Sequence, residues 1–193
     1  GIVVVKELNK ASGVWSMQSQ YEAQRSGLWP DGTIINNFLE LSGGCQSDSG
    51  NFRIHTFNAS DTLTVVNAGN ACGSTSVDYM IVAGGGATTT SGSYAGGGGA
   101  GGFRESPGSV SGSYSVSPLA GGSAISMAPG GPFAVVVGAG GATQTSGSNS
   151  SFGGIVSAGG GRGGKSTSGN VTAESGGSGG GMGTWPSPAG PAG

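Results

Sequence analysis

The sequence predicts a mainly β protein: a small antiparallel β domain with one short N-terminal helix, followed by a Gly-rich module of short strands and packed, polyglycine-II-like segments. Three observations lead to this fold class: alternating apolar runs before residue 83, a sharp rise in glycine after it, and apolar residues spaced among the glycine clusters. Nine of the 45 glycines lie in the first 83 residues. We therefore divide the chain into an N-terminal domain (1–83), a Gly-rich module (84–184) and a Pro/Gly-rich tail (185–193).

The helix is predicted over residues 14–26, with the sequence VWSMQSQYEAQRS. Val14, Met17 and Tyr21 recur at the spacing of one helical face. A serine two residues upstream can cap the first turn, and Gly27 is a typical helix end.

Short runs that alternate between apolar and polar residues predict strands. In residues 52–57 (FRIHTF), Phe52, Ile54 and Thr56 fall on one face, and the other three residues fall on the opposite face. The full set of predicted strands is 33–41, 52–57, 63–66 and 77–83 in the N-terminal domain, with 133–137 and 152–157 in the Gly-rich module. Turn residues separate these runs, which favours an antiparallel sheet or sandwich.

The Gly-rich module has two physical outcomes. A flexible linker is one. The other is a packed array of left-handed, threefold helices of the polyglycine-II type, in which glycine lets neighbouring backbones approach closely, as it does at the axis of collagen. Linkers are uniformly polar, whereas this module contains apolar residues such as Phe103, Phe133, Phe152 and Ile155. We therefore expect the packed array.

The tail ends in two Pro-Ala-Gly triplets within residues 185–193. They are consistent with a simple polyproline II end. They also match the start of a collagen-like triple helix, which would make the protein a homotrimer.

Composition and charge exclude several classes of partner. Charged residues make up 8% of the chain, the net charge is −2, and the seven Lys and Arg residues are scattered. We therefore expect no nucleic-acid partner. The longest apolar runs are much shorter than the roughly 18 residues that cross a bilayer, so no membrane insertion is expected. No secretory signal is visible, and a start at Gly1 is consistent with a processed chain or a piece of a longer one.

The sequence offers no catalytic constellation, and we expect neither enzymatic activity nor a cofactor. Its single histidine, His55, lies on a strand-like run and is interpreted as a hydrogen-bonded sheet residue. One histidine and two cysteines give only three ligands for zinc, so no metal site is expected. The G-x-S-x-G match at 176–180 and the G-x-G-x-x-G match at 97–102 lack the strand and helix that these motifs require.

The two cysteines, Cys45 and Cys72, leave two alternatives open. They form a disulfide that closes a loop of 28 residues, or they are free thiols. Two cysteines alone do not indicate the redox compartment.

Two polar segments of the Gly-rich module are predicted to be exposed loops. They are 88–94 (TTTSGSY) and 144–151 (QTSGSNSS). Aromatic residues among small polar ones make good recognition surfaces. The candidate receptor-contact residues in these loops are Thr88, Thr89, Thr90, Tyr94, Gln144 and Asn149.

Several motifs follow one another in a characteristic order. They are NFRIHTF (51–57), LTV (63–65), VDYMIVAGGG (77–86), AGGGGAGGFR (95–104), FAVVVGAGG (133–141) and SNSSFGGIVSAGGGRGG (148–164). This order resembles the Gly-rich domain that is widespread in the fibre and virion-appendage proteins of tailed bacteriophages. Residues 13–25 are similar to a short helical element that often accompanies it, so the resemblance covers roughly residues 13–165.

The resemblance implies a structural component of a phage virion appendage, such as a tail fibre, located on the particle surface. In some members, packed polyglycine-II helices display variable loops to a bacterial receptor, and such members act as adhesins. The partners implied are other copies of the chain and other virion proteins. Two alternatives remain open: a capsid decoration or lattice protein without receptor binding, and a Gly-rich extracellular filament protein.

Overall fold

The computed structural model describes residues 1–8, 21, 25, 37–88, 94–106, 123–127, 130–165 and 172–183. Within these ranges the protein is mainly β, with eleven strands in two antiparallel sheets. The mainly β, antiparallel fold class is therefore confirmed. Of the predicted helix only Tyr21 and Arg25 are described, and the tail 185–193 lies outside the described residues.

One sheet has six strands. Their order across the sheet is β3 (Cys45–Ser49), β4 (Phe52–Phe57), β1 (Ile2–Leu8), β6 (Ser76–Val82) and β7 (Phe103–Glu105), and β8 (Ile125–Ser126) pairs with the other end of the β6 edge. The other sheet has five strands. Their order is β11 (Ile155–Ser157), β10 (Ser150–Phe152), β9 (Phe133–Val136), β5 (Asp61–Ala68) and β2 (Leu39–Ser42).

The inner faces of the two sheets form one hydrophobic core. On β6, Val77, Tyr79 and Ile81 are buried, while the residues between them are partly exposed. This alternation is the strand pattern of a half-buried sheet. The core combines side chains of both sheets: Val3, Val5, Leu39, Leu41, Phe57, Leu63, Val77, Tyr79, Ile81, Met127, Val135 and Phe152. Each fully buried large apolar side chain contributes roughly 1.5–3 kcal/mol to folding.

The composition change at residue 83 does not separate two packed cores. Strands β7 and β8, which come from the Gly-rich part, pair with β6 in the six-stranded sheet. Strands β9, β10 and β11 complete the five-stranded sheet beside β5. The boundary predicted between 83 and 84 therefore marks a shift in composition within a shared sandwich.

Most predicted strands are present, with shifted ends, although residues 33–36 of the predicted strand 33–41 lie outside the described residues. Two expectations need correction. The run 152–157, predicted as one strand, is part of a hairpin of β10 and β11 that turns at Gly153 and Gly154. Both glycines have a positive φ, as the tight hairpin turns with a matching twist require. The second correction concerns strands of the six-stranded sheet that were not predicted: β1, an apolar run in the middle of that sheet, and also β3, β7 and β8.

Candidate functional site

Five segments continue from the sandwich, and we call them together the glycine array. They are residues 83–88, 94–102, 138–149, 158–165 and 174–183. Three of them leave the sandwich from strand ends: 83–88 follows β6, 138–149 follows β9 and 158–165 follows β11. The chain returns into the sheets at β7 and β10.

Hydrogen bonds between these segments recur at every third residue. The main-chain N–H groups of Gly96, Gly99 and Gly102 donate to the carbonyls of the segment 158–165, each at 2.7 Å. In the segment 83–88, Gly84 and Ala87 both donate to the 138–149 segment, and both carbonyls accept from 158–165. A period of three differs from the period of two in a β-strand.

The segment 83–88 has more hydrogen-bonded neighbours than a strand in a sheet can have. Ala83 and Gly86 donate to the segment 94–102, whereas Gly84 and Ala87 donate to residues 145–148. Its carbonyls accept from Gly141 and from the segment 158–165. The array is therefore packed in two dimensions around this segment, whose backbone hydrogen bonds go to three neighbouring segments.

Glycine is required in the array for space. A Cβ added to Gly99 would lie far inside van der Waals contact of the Ser178 carbonyl oxygen, and one on Gly160 would meet the Gly99 carbonyl in the same way. Neither Gly99 nor Gly160 has a positive φ. Their role is therefore to let backbones touch, which is the role of glycine at the collagen axis. Gly97 differs, because nothing lies within 4 Å of the position that a Cβ would take there.

The end of the array away from the sheets, which we call the distal end, brings two of the described candidate residues into contact. Thr88 and Gln144 meet there, with a hydrogen bond from the Gln144 N–H to the Thr88 carbonyl at 3.4 Å. Tyr94 begins the segment 94–102, and its neighbour Ala95 pairs with Lys165. Thr88 and Tyr94 are exposed and Gln144 is half-buried.

Tyr94 and Gln144 also share an unusual backbone. They are the two non-glycine residues of the described ranges with a positive φ, at 83° and 62°. Such conformations are uncommon outside glycine and cluster at functional sites. Gln144 occupies a turn that the N–H of Thr145 closes by donating to the Ala142 carbonyl at 2.9 Å.

The remaining predicted site residues are not found at the distal end among the described residues. Asn149 directly precedes β10 at the sheet end of the array, and its Oδ1 accepts from the Gly159 N–H at 2.9 Å. The structure therefore does not bring Asn149 to the distal end, although it is exposed. Thr89 and Thr90 lie outside the described residues. Cys45 and Cys72 are exposed free thiols, at the start of β3 and in the turn after β5.

A polar cluster that the sequence did not point to lies below the Gln144 turn. We call Ser146, Arg162 and Glu174 the Arg162 cluster. The guanidinium of Arg162 contacts the Glu174 carboxylate at 2.9 Å (Nη2 to Oε1), and Nη1 donates to the Gln144 carbonyl at 3.3 Å. In the sequence, the feature that could have indicated this cluster is Arg162, a single charged residue within the glycine run 159–164.

Within the described part of the chain, no group of three or more His, Cys, Asp or Glu side chains is placed to hold a metal ion. No helix found there is long and apolar enough to cross a membrane. Comparisons with protein-family models, curated proteins and solved structures returned no match.

Proposed function

We propose that this protein is a structural component of a phage virion appendage, and that its glycine array carries loops to the surface of the host cell. One observation carries the proposal: backbones are tied at every third residue into an array, at one end of which Thr88 and the turn at Gln144 meet. The motif order of the sequence, which resembles the Gly-rich domain of phage fibre proteins, gives independent support.

The array is proposed to be packed polyglycine II. A left-handed helix with three residues per turn directs its N–H and C=O groups outward in three directions, without internal hydrogen bonds. The period of three supports this assignment, as does the contact of segment 83–88 with several neighbours. Its buried interior also fits, because Gly96, Gly99, Gly160, Gly161 and Gly163 are all buried.

Such an array suits the display of loops. Each outgoing segment is anchored in a sheet and is hydrogen-bonded to its neighbours, so Thr88 and the turn at Gln144 are held without a hydrophobic core of their own. Thr88, Tyr94 and Gln144 are the residues proposed to contact a receptor. The proposed partners are further copies of the chain, in a homotrimer, and other proteins of the particle.

The test is binding of the labelled full chain to a panel of bacteria, after its size has been measured by light scattering. Two variants replace residues 88–94 or 142–145 with Gly-Ser sequences of equal length. Val66→Thr is the control, because Val66 is 60% exposed on β5 and lies outside the array. Selective binding that both loop variants lose and the control keeps is the expected result.

Absence of binding by a compact oligomer to every strain of the panel would overturn the attachment role. Electron microscopy of antibody-labelled particles would then distinguish the alternatives. Label on an appendage retains a structural role there, whereas label on the head indicates a capsid decoration protein. Label on cell-surface filaments would indicate an extracellular filament protein.

A further inference from the structure

The Arg162 cluster joins three parts of the glycine array directly below the distal end. The Arg162 N–H donates to Ser146 Oγ at 3.0 Å, and this hydroxyl donates to Glu174 Oε2 at 2.7 Å. The Glu174 N–H donates to the Arg162 carbonyl at 3.1 Å. Both main chain and side chains therefore link the segments that contain Ser146, Arg162 and Glu174.

The guanidinium is divided between two partners. An arginine that serves only a carboxylate commonly uses two parallel N–H groups for it. Here Nη2 contacts Glu174, Nη1 turns to the Gln144 carbonyl, and the buried Nε has no hydrogen-bond partner among the described residues. The orientation of Arg162 thus favours the contact with Gln144 over a two-pronged contact with Glu174.

The ion pair is also too exposed to act mainly as a source of stability. The Arg162 and Glu174 side chains are 26% and 46% exposed. Ion pairs at such sites contribute little to the free energy of unfolding. By contrast, the backbone of Gln144 has a positive φ, which a residue with a side chain keeps only when its surroundings hold it there. The Arg162 and Thr88 contacts hold it from two sides.

We propose that Arg162 is a positioning residue for the distal loop: oriented by Glu174, it fixes the Gln144 carbonyl and so sets the direction of the Gln144 side chain. This inference rests on the proposed function for its meaning, since Gln144 is a proposed receptor contact. The claim that Arg162 fixes the Gln144 carbonyl does not depend on any receptor.

Hydrogen exchange of the full chain, read on peptides that cover residues 142–148, tests whether Arg162 holds the Gln144 turn. In Arg162→Gln the Gln144 and Thr145 amides are expected to exchange about tenfold faster, because the turn opens locally. Peptides that cover β1 and β4 should be unchanged. Arg53→Gln is the matched control, since Arg53 also forms an ion pair, with Asp48 at 3.0 Å, on the strand β4.

A charge swap separates positioning from ion pairing. The double variant Arg162→Glu with Glu174→Arg restores an ion pair, but a carboxylate at position 162 cannot donate to the Gln144 carbonyl. Because the ion pair contributes little to stability, we expect the thermal midpoint of unfolding of the swap to stay near that of the wild type, while the exchange of 142–148 stays fast. Wild-type exchange of 142–148 in the swap, or unchanged exchange in Arg162→Gln, would overturn the proposal.

Binding to the host supplies the functional arm. If the wild-type chain binds a bacterium, Arg162→Gln is expected to weaken binding about tenfold, as a loss of receptor-contact geometry. Unchanged binding together with fast exchange would show that Gln144 is not a receptor contact, and would overturn the claim that Arg162 positions it for binding. If the wild-type chain binds no cell, the proposed function fails, while the exchange experiment still decides the role of Arg162.

Discussion

His55 and Glu7 face each other inside the sandwich, with His55 Nε2 3.4 Å from Glu7 Oε1 and both side chains fully buried. His55 Nδ1 lies 2.8 Å from the Gly43 carbonyl oxygen, and because a carbonyl only accepts, Nδ1 is the donor. Gly43 lies where the chain crosses from β2 in one sheet to β3 in the other, so this pair ties the crossover to β1 and β4.

We expect Glu7→Leu or His55→Leu to lower the free energy of unfolding by roughly 3–5 kcal/mol, because each leaves a buried polar partner unpaired. The double variant should lose less than the sum of the two, since of this network only the Gly43 carbonyl, which accepts from His55 Nδ1, is left unpaired. Urea unfolding of the four proteins measures this. Additive losses would show that the two side chains do not interact.

Alanine substitutions within one segment of the array should change stability differently at closely packed glycines and at glycines that face open space. Gly99→Ala places a methyl group against the Ser178 carbonyl and should cost about 1–3 kcal/mol, as overpacking does. Gly97→Ala, two residues away in open space, should be neutral or stabilise by up to about 1 kcal/mol, because it restricts the unfolded chain. Thermal unfolding measures both. Equal effects would argue against close backbone packing and against polyglycine II.

Tyr79 should make stability depend on alkaline pH. Burial of this core residue raises its pKa, while Arg104 acts in the opposite direction. A raised folded pKa means that the native state keeps its proton longer than the unfolded state. The contribution of Tyr79 to the free energy of unfolding is therefore complete below the unfolded pKa of about 10, and it is lost as the pH rises from there through the raised folded pKa. Denaturant unfolding between pH 8 and pH 11 should show a steeper fall for the wild type than for Tyr79→Phe.

The cysteines give a direct chemical prediction. Because Cys45 and Cys72 are exposed and free in the structure, both should react with a thiol reagent in the native protein, without prior reduction. The unfolded protein should then show no additional thiols. Reaction only after treatment with a reductant would instead support the disulfide alternative.

The sequence allowed the mainly β class and most strand positions to be predicted, because alternation on β4 and β6 follows directly from one buried face. It did not reveal the hairpin at Gly153 and Gly154, since these letters look like the surrounding glycine clusters and differ only in φ. The candidate loops around Thr88, Tyr94 and Gln144 were predicted from local composition.

Other features of the site depend on contacts far apart in the chain. Asn149 was grouped with Gln144 by sequence proximity, yet the segment between them runs along the array and separates the two residues. Arg162 and Glu174 are isolated charges in a glycine-rich background, and only the packing of their segments brings them together. No local pattern distinguishes them from solvent-facing charges.

The transverse hydrogen bonds of the glycine array also determine how it responds to mechanical load. Bonds such as those from Gly96, Gly99 and Gly102 lie across the direction in which the segments run. A pull on the distal end along that direction strains these bonds together, in shear, instead of opening them one after another. The array is therefore built to transmit tension into the strands that continue it, from Gly84 into β6 and from Gly102 into β7.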